Sequence, residues 1–129
     1  MNGPSGAATP RILRIAAAGP GDEPLALDPA RLAPGSPDPA QQVCNAYTDS
    51  GGRFFAGRWS SGVGAWQVRY TENELCVITQ GRIRLTGDDG DRQEFGPGDC
   101  FVVPAGYRGL WEVLEPAAKI YAIYEPPLA

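Results

Sequence analysis

An all-β domain of about eight short strands, closed into a barrel or sandwich, is the fold class that the sequence predicts. Three observations carry the prediction. From Arg53 onward apolar residues recur with period two in short runs. Turn residues interrupt those runs about every ten residues, the spacing of β-sandwiches and barrels. No segment carries a convincing amphipathic helix.

The elements follow in order. Residues 1–50 read as a tail and arm, and residues 51–126 as the barrel. Positions 1–9 are small and polar and are expected to be a weakly held tail. Eight of the thirteen prolines fall within the first 39 residues, and Leu25, Leu27 and Leu32 follow neither a helical nor a strand period. Residues 20–40 are therefore expected to be extended, lying along the body or serving a partner subunit. Arg53–Trp59 and Ala65–Tyr70 are the first strands, separated by Ser60-Ser61-Gly62-Val63-Gly64. Glu74–Thr79 ends at Gln80-Gly81, and Arg82–Thr86 alternates polar and apolar residues, so one of its faces is wet. Asp88-Asp89-Gly90-Asp91 and Gly96-Pro97-Gly98 are turns, and the second launches Asp99–Val103. Asp99 is expected to cap turn amides there. Pro104-Ala105-Gly106 precedes Gly109–Leu114, and a last strand, Lys119–Tyr124, stops at Pro126-Pro127.

Composition excludes several function classes. The net charge is −4, the ten arginines are dispersed, and Lys119 is the only lysine, so no basic face awaits a phosphate backbone. Nucleic acid is therefore not an expected partner. No apolar run approaches the ~20 residues of a membrane span, and Ile15–Ala18 is too short for a signal peptide. Cys44, Cys76 and Cys100 are odd in number and lack zinc-type spacing, which suits a reducing cytoplasm. At 129 residues the chain makes one domain that needs neither metal nor disulfide to fold.

Two stretches carry a family resemblance. Gly62, Glu74 and Gly81 stand at the spacing of the first cupin motif, and Gly98, Pro104 and Gly106 at that of the second. Val68, Tyr70 and Gly109 occupy the motif's histidine positions, and Val113 its final asparagine. Gly57-x-Trp59, Tyr70-x2-Asn73-Glu74-x-Cys76, Gly106-x2-Gly109-x-Trp111-x-Val113-x-Glu115-Pro116 and Lys119-x-Tyr121 extend the match. With these the chain resembles the ureidoglycine aminohydrolase cupin domain family over residues 53–124. The resemblance implies a double-stranded β-helix, a jelly-roll-like barrel, and a metal-dependent activity acting on a ureido compound. The metal-holding histidines of that activity are absent, since the chain contains no histidine.

Alternation then assigns the interior. Glu74 is inward by its motif position, and Cys76 and Ile78 share its face. Trp66, Val68 and Tyr70 align with inward positions, as do Gly109, Trp111 and Val113. Both faces of the last strand are equally apolar, and only the resemblance selects Lys119, Tyr121 and Ile123. The expected site is Glu74, Lys119 and Tyr70 as acid–base groups, with Trp66, Cys76, Trp111 and Tyr121 lining a ligand pocket and no metal or cofactor. A small-molecule site with a ureido, amino or carboxylate ligand is one reading, as a binding module or as an isomerase, dehydratase or aminohydrolase-like enzyme. A non-catalytic sensor or structural homodimer with a filled barrel is the other. A cavity of roughly 300 Å³ or more beside Glu74 distinguishes the first from the second.

Overall fold

The structure is a computed structural model and describes residues 9–128. Most of the expected N-terminal tail lies outside the described residues. Among the described residues eight strands form: β1 Glu23–Pro24, β2 Gln42–Thr48, β3 Phe54–Ser61, β4 Gly64–Arg69, β5 Asn73–Gly87, β6 Arg92–Phe95, β7 Cys100–Val103 and β8 Arg108–Tyr124. Among the described residues the one helical turn is a 3-10 turn, Pro29–Arg31, whose first turn Asp28 caps by accepting from the Ala30 N–H at 3.0 Å. No helix among the described residues is long and apolar enough to cross a membrane.

The two longest strands organise everything else. β5 and β8 run antiparallel from the Asn73↔Tyr124 pair to the Gly87↔Gly109 pair, and register shifts near Gln80 and Arg82 bend the ribbon midway. The outer half of β8 pairs on its other edge with β3, from Phe54↔Tyr124 to Ser61↔Ala117, and the inner half pairs with β4, from Gly64↔Val113 to Arg69↔Arg108. β7 borders the first half of β5 and β6 the second. One sheet is therefore β1-β2-β3-β8-β5-β7 and the other β4-β8-β5-β6, with β5 and β8 crossing between them. The strands expected separately over 74–79 and 82–86 are one strand, and so are those over 109–114 and 119–124. Gly81, at φ 79°, is the corner: a Cβ there would collide with the Pro116 carbonyl oxygen and the Ala117 Cα. The Gln80-Gly81 signal thus bends a strand instead of ending it.

Apolar alternation drives closure. Cys76, Ile78, Ile83, Leu85, Val103, Trp111 and Val113 are buried between the sheets, while Leu75 and Val102 point outward. Asp99 accepts from the Gly96 N–H at 2.8 Å, so the turn before β7 is capped as expected.

The segment before residue 50 lies along its own body. β2 adds an edge to β3 through Gln42↔Ser60 to Thr48↔Phe55, and β1 adds to β2. Farther along, the Ala33 N–H donates to the Ala65 carbonyl at 2.9 Å and Ser36 Oγ accepts from the Ala65 N–H at 2.9 Å, covering the open edge of β4. Buried Arg58 holds the most N-terminal part. Its guanidinium pairs with Asp22 at 3.0 Å and donates to the carbonyls of Ala16, Gly19 and Pro20 at 3.3, 2.8 and 2.9 Å.

Candidate functional site

The interior brings the expected polar residues together. Lys119 faces Ile78 across the β5–β8 ladder, four residue pairs along from Glu74 and its partner Ile123 and on the same face. Both side chains turn into the barrel, and Nζ reaches Glu74 Oε2 at 2.8 Å. Tyr70 follows the end of β4, fixed by its N–H donating to the Tyr107 carbonyl at 2.9 Å. Its hydroxyl donates to the other carboxylate oxygen, Glu74 Oε1, at 2.8 Å. Glu74 and Lys119 are both buried, with side-chain exposures of 5% and 7%. Alternation left the inward face of the last strand open, and this contact decides for Lys119.

Aromatic rings enclose the ammonium. Nζ sits 4.8 Å from the Trp59 centroid and 4.5 Å from the Trp111 centroid, within cation–π range. Trp59, Trp66 and Trp111 pack on one another with centroids 5.8–6.5 Å apart. Trp59 Nε1 donates to Gln41 Oε1 at 2.8 Å, while buried Trp111 Nε1 has no partner among the described residues. Tyr121 lies on the inward row with its hydroxyl donating to Asn45 Oδ1 at 2.7 Å.

Each titratable neighbour holds its proton. Desolvation lowers the Lys119 pKa, but the Glu74 carboxylate, followed by Cys76, outweighs it and the net shift is upward. Burial, then the Glu74 charge, raises Tyr70 well above its ordinary value. Burial pushes the Cys76 thiol up to about 12, against the lowering pull of Lys119. Cys76 is thus a protonated thiol at neutral pH and no nucleophile.

These shifts have a consequence for stability. A group whose pKa is raised on folding contributes stability that is complete below its unfolded value and lost as pH rises through its folded value. Cys76 starts this loss at its ordinary 9.0 and ends it at about 12, while Tyr70 and Lys119 add to it above 10.0 and 10.5. The urea midpoint is expected to fall steadily above pH 9. Cys76→Val is expected to flatten the profile between pH 9 and 10, and an unchanged slope in that variant would refute the assignment.

The space beside the cluster is small. A cavity of about 60 Å³ is bounded by Gln41, Trp59, Trp66, Tyr70, Trp111 and Lys119. A buried water needs on the order of 10–15 Å³ of such space, so the cavity takes a group of a few heavy atoms. Metabolite pockets run from about 300 Å³ upward. Trp66 and Trp111 line this cavity, and with Trp59 packed against them they leave it small. Trp59, Gln41 and Asn45 belong to the site although sequence reasoning did not select them. Trp59 lies on a recognised strand, at the inward-compatible position Gly57-x-Trp59. Gln41 and Asn45 lie in the segment read as arm, where no signal placed them.

A cupin metal centre does not fit these residues. Among the described residues no three His, Cys, Asp or Glu side chains converge. Both oxygens of Glu74 are engaged, and the Lys119 ammonium supplies the positive charge that a metal ion would bring. At Gly109 even a Cβ would collide with the Thr86 carbonyl oxygen and crowd Gly87 Cα, so that position has no room for a ligating side chain.

Two bent antiparallel sheets around a common interior define a small cupin-type β-barrel. Residues 48–121 match the model of the EutQ-like cupin domain, and the chain belongs to that family. It matches no curated protein. Among solved structures, a DUF861-family protein of unknown function from Pseudomonas syringae pv. tomato is similar at 24% identity. Its TM-score is 0.72 over 79% of this chain and 43% of that one. The Clostridium difficile EutQ protein is similar at 19% identity and TM-score 0.62, over 78% and 74% of the two chains. A DUF861-family protein from Thermotoga maritima is 36% identical over 50% of this chain and 73% of that one, with a TM-score of 0.49.

Proposed function

We propose that this cupin is a metal-independent binding module that receives one end group of a small ligand beside Glu74, Lys119 and Tyr70, and that it does not turn the ligand over. The space of about 60 Å³ is too small for the whole-ligand pocket of roughly 300 Å³ and admits the end group alone. The observation that carries this reading is a buried, fully paired ionic cluster bordering a small cavity whose wall includes Trp111, with its unpaired N–H. A packed core has no need of such a cluster, because apolar residues of similar volume stabilise at least as well. Binding is favoured over catalysis because Glu74 already accepts from both neighbours, and Lys119, Tyr70 and Cys76 are all protonated at neutral pH. The aminohydrolase chemistry implied by the ureidoglycine aminohydrolase resemblance would need donors that the interior does not supply.

The ligand's end group is a neutral carbonyl. Lys119 and Glu74 cancel in charge, and the other groups around the cavity are neutral. A carboxylate would leave one excess negative charge in an apolar interior. The test is a titration with acetamide, read by intrinsic fluorescence, in wild type and in Trp111→Phe, which keeps the ring and removes the N–H. A saturable change that weakens at least fivefold in the variant is expected. No saturable change in wild type would leave the filled-barrel assembly reading in its place.

Assembly is supported by a separate observation. Val102, Leu75, Ala122 and Ala56 stand side by side on the outer face of the first sheet, and Val102 is 60% exposed. We propose that a second copy covers this face in a cytoplasmic homodimer, where Cys44, Cys76 and Cys100 stay reduced. Light scattering is expected to give twice 13.7 kDa, and Leu75→Glu is expected to give the monomer. A wild-type monomer at micromolar concentration would refute the dimer.

A further inference from the structure

The N-terminal segment forms a groove of about 450 Å³ beside the barrel, walled by Leu25, Leu27, Leu32 and Pro39. Its volume lies within the range of small-molecule pockets, and its lining is apolar apart from Asp38 and Gln41. One residue belongs to both spaces. Gln41 lines the groove and also lines the inner cavity at Lys119 and Trp111.

The geometry points to a single two-part ligand site in which Gln41 is the partition: a neutral carbonyl head enters the inner cavity and an unbranched aliphatic tail lies in the groove. The inference rests on the binding reading above and extends it from an end group to a ligand class. Gln41 suits a movable partition. Its backbone carbonyl holds the Leu25 N–H at 2.9 Å, and its side chain keeps one bond, Oε1 accepting from Trp59. Swinging the side chain away breaks that bond and leaves the backbone pairing intact. The residue before it, Ala40, has φ 50°, a left-handed conformation that a non-glycine residue rarely adopts. The Asp38 carboxylate holds it there by accepting from the Ala40 N–H at 2.9 Å. Backbone strain of this kind collects at clamps and switch points. Trp111 Nε1, buried and unpaired, is the donor that a carbonyl head would satisfy.

The test uses the unmodified protein and a short probe series. All three tryptophans of the chain line the inner cavity, so intrinsic emission reports events there. Acetamide, butanamide and hexanamide are titrated in turn, with acetate and hexanoate as charged counterparts. Each methylene buried in the groove raises affinity severalfold, so hexanamide is expected to bind at least tenfold tighter than acetamide. Leu25→Ser, a change at a half-exposed position of the groove, is expected to cut that gain severalfold while leaving acetamide unchanged. Acetamide binding with no gain from chain length would overturn the two-part site and leave the end-group reading standing. Tighter binding of hexanoate than of hexanamide would overturn the neutral head. No saturable response to any probe would overturn both the inference and the reading beneath it.

Discussion

Glu74→Gln or Lys119→Met, each alone, is expected to cost the fold roughly 3–5 kcal/mol, while the two together leave stability unchanged or raise it by about 1–4 kcal/mol. The asymmetry follows from burial. Each single change leaves the opposite charge in an apolar interior with no counter-charge. The double change removes both desolvation penalties and leaves Gln to accept from Tyr70 and Met to pack against Trp59 and Trp111. A double-mutant cycle by urea denaturation measures the coupling. Coupling below about 0.5 kcal/mol would show that the two groups act independently and would remove the ionic cluster from the site.

Gly109→Ala is expected to cost about 3 kcal/mol or more, a large effect for the addition of one methyl group. The added Cβ meets the Thr86 carbonyl oxygen and Gly87 Cα, backbone atoms of the neighbouring strand that have no rotamer to escape into. The β5–β8 ladder must therefore separate where the two strands pair Gly87 with Gly109. Gly51→Ala, whose Cβ has ordinary contact distance to Asp49, is the control and is expected to stay within about 0.5 kcal/mol of wild type. Equal stability of the two variants in chemical denaturation would show that the strands do not approach as closely as described.

The barrel was legible in the sequence because strands buried on one face alternate, as Arg82–Thr86 does clearly, and because turn residues punctuate the short apolar runs. β2 was not legible. Gln42–Thr48 is exposed or half-buried along its whole length, so no alternation marks it, and it follows a proline-rich stretch that reads as coil. The corner at Gly81 and Pro116 was misread for a related reason. Gly and Pro mark both a chain reversal and a bent strand, and only the ladder continuing past them separates the two. Within the site, Glu74, Tyr70 and Lys119 were found through motif spacing. The fullness of the interior was not readable, because Trp59 enters it from β3 and Gln41 from the segment that precedes β2. Side-chain volume at a given point depends on which strands converge there, and that is a property of topology.

The position of β8 has a consequence for how the chain is made. β3, β4 and β5 all pair with β8, which leaves the ribosome after every other strand of the barrel. While the nascent chain is still tethered, β3 can find β2 and β5 can find β6 and β7, but neither sheet can close. Ile78, Ile83 and Leu85 therefore stay accessible until residues 108–124 emerge, when both sheets form around one late segment. The interval is one in which chaperones and proteases compete with folding. A premature stop that removes only β8 takes the shared partner of three strands, and the remaining chain has no barrel to close.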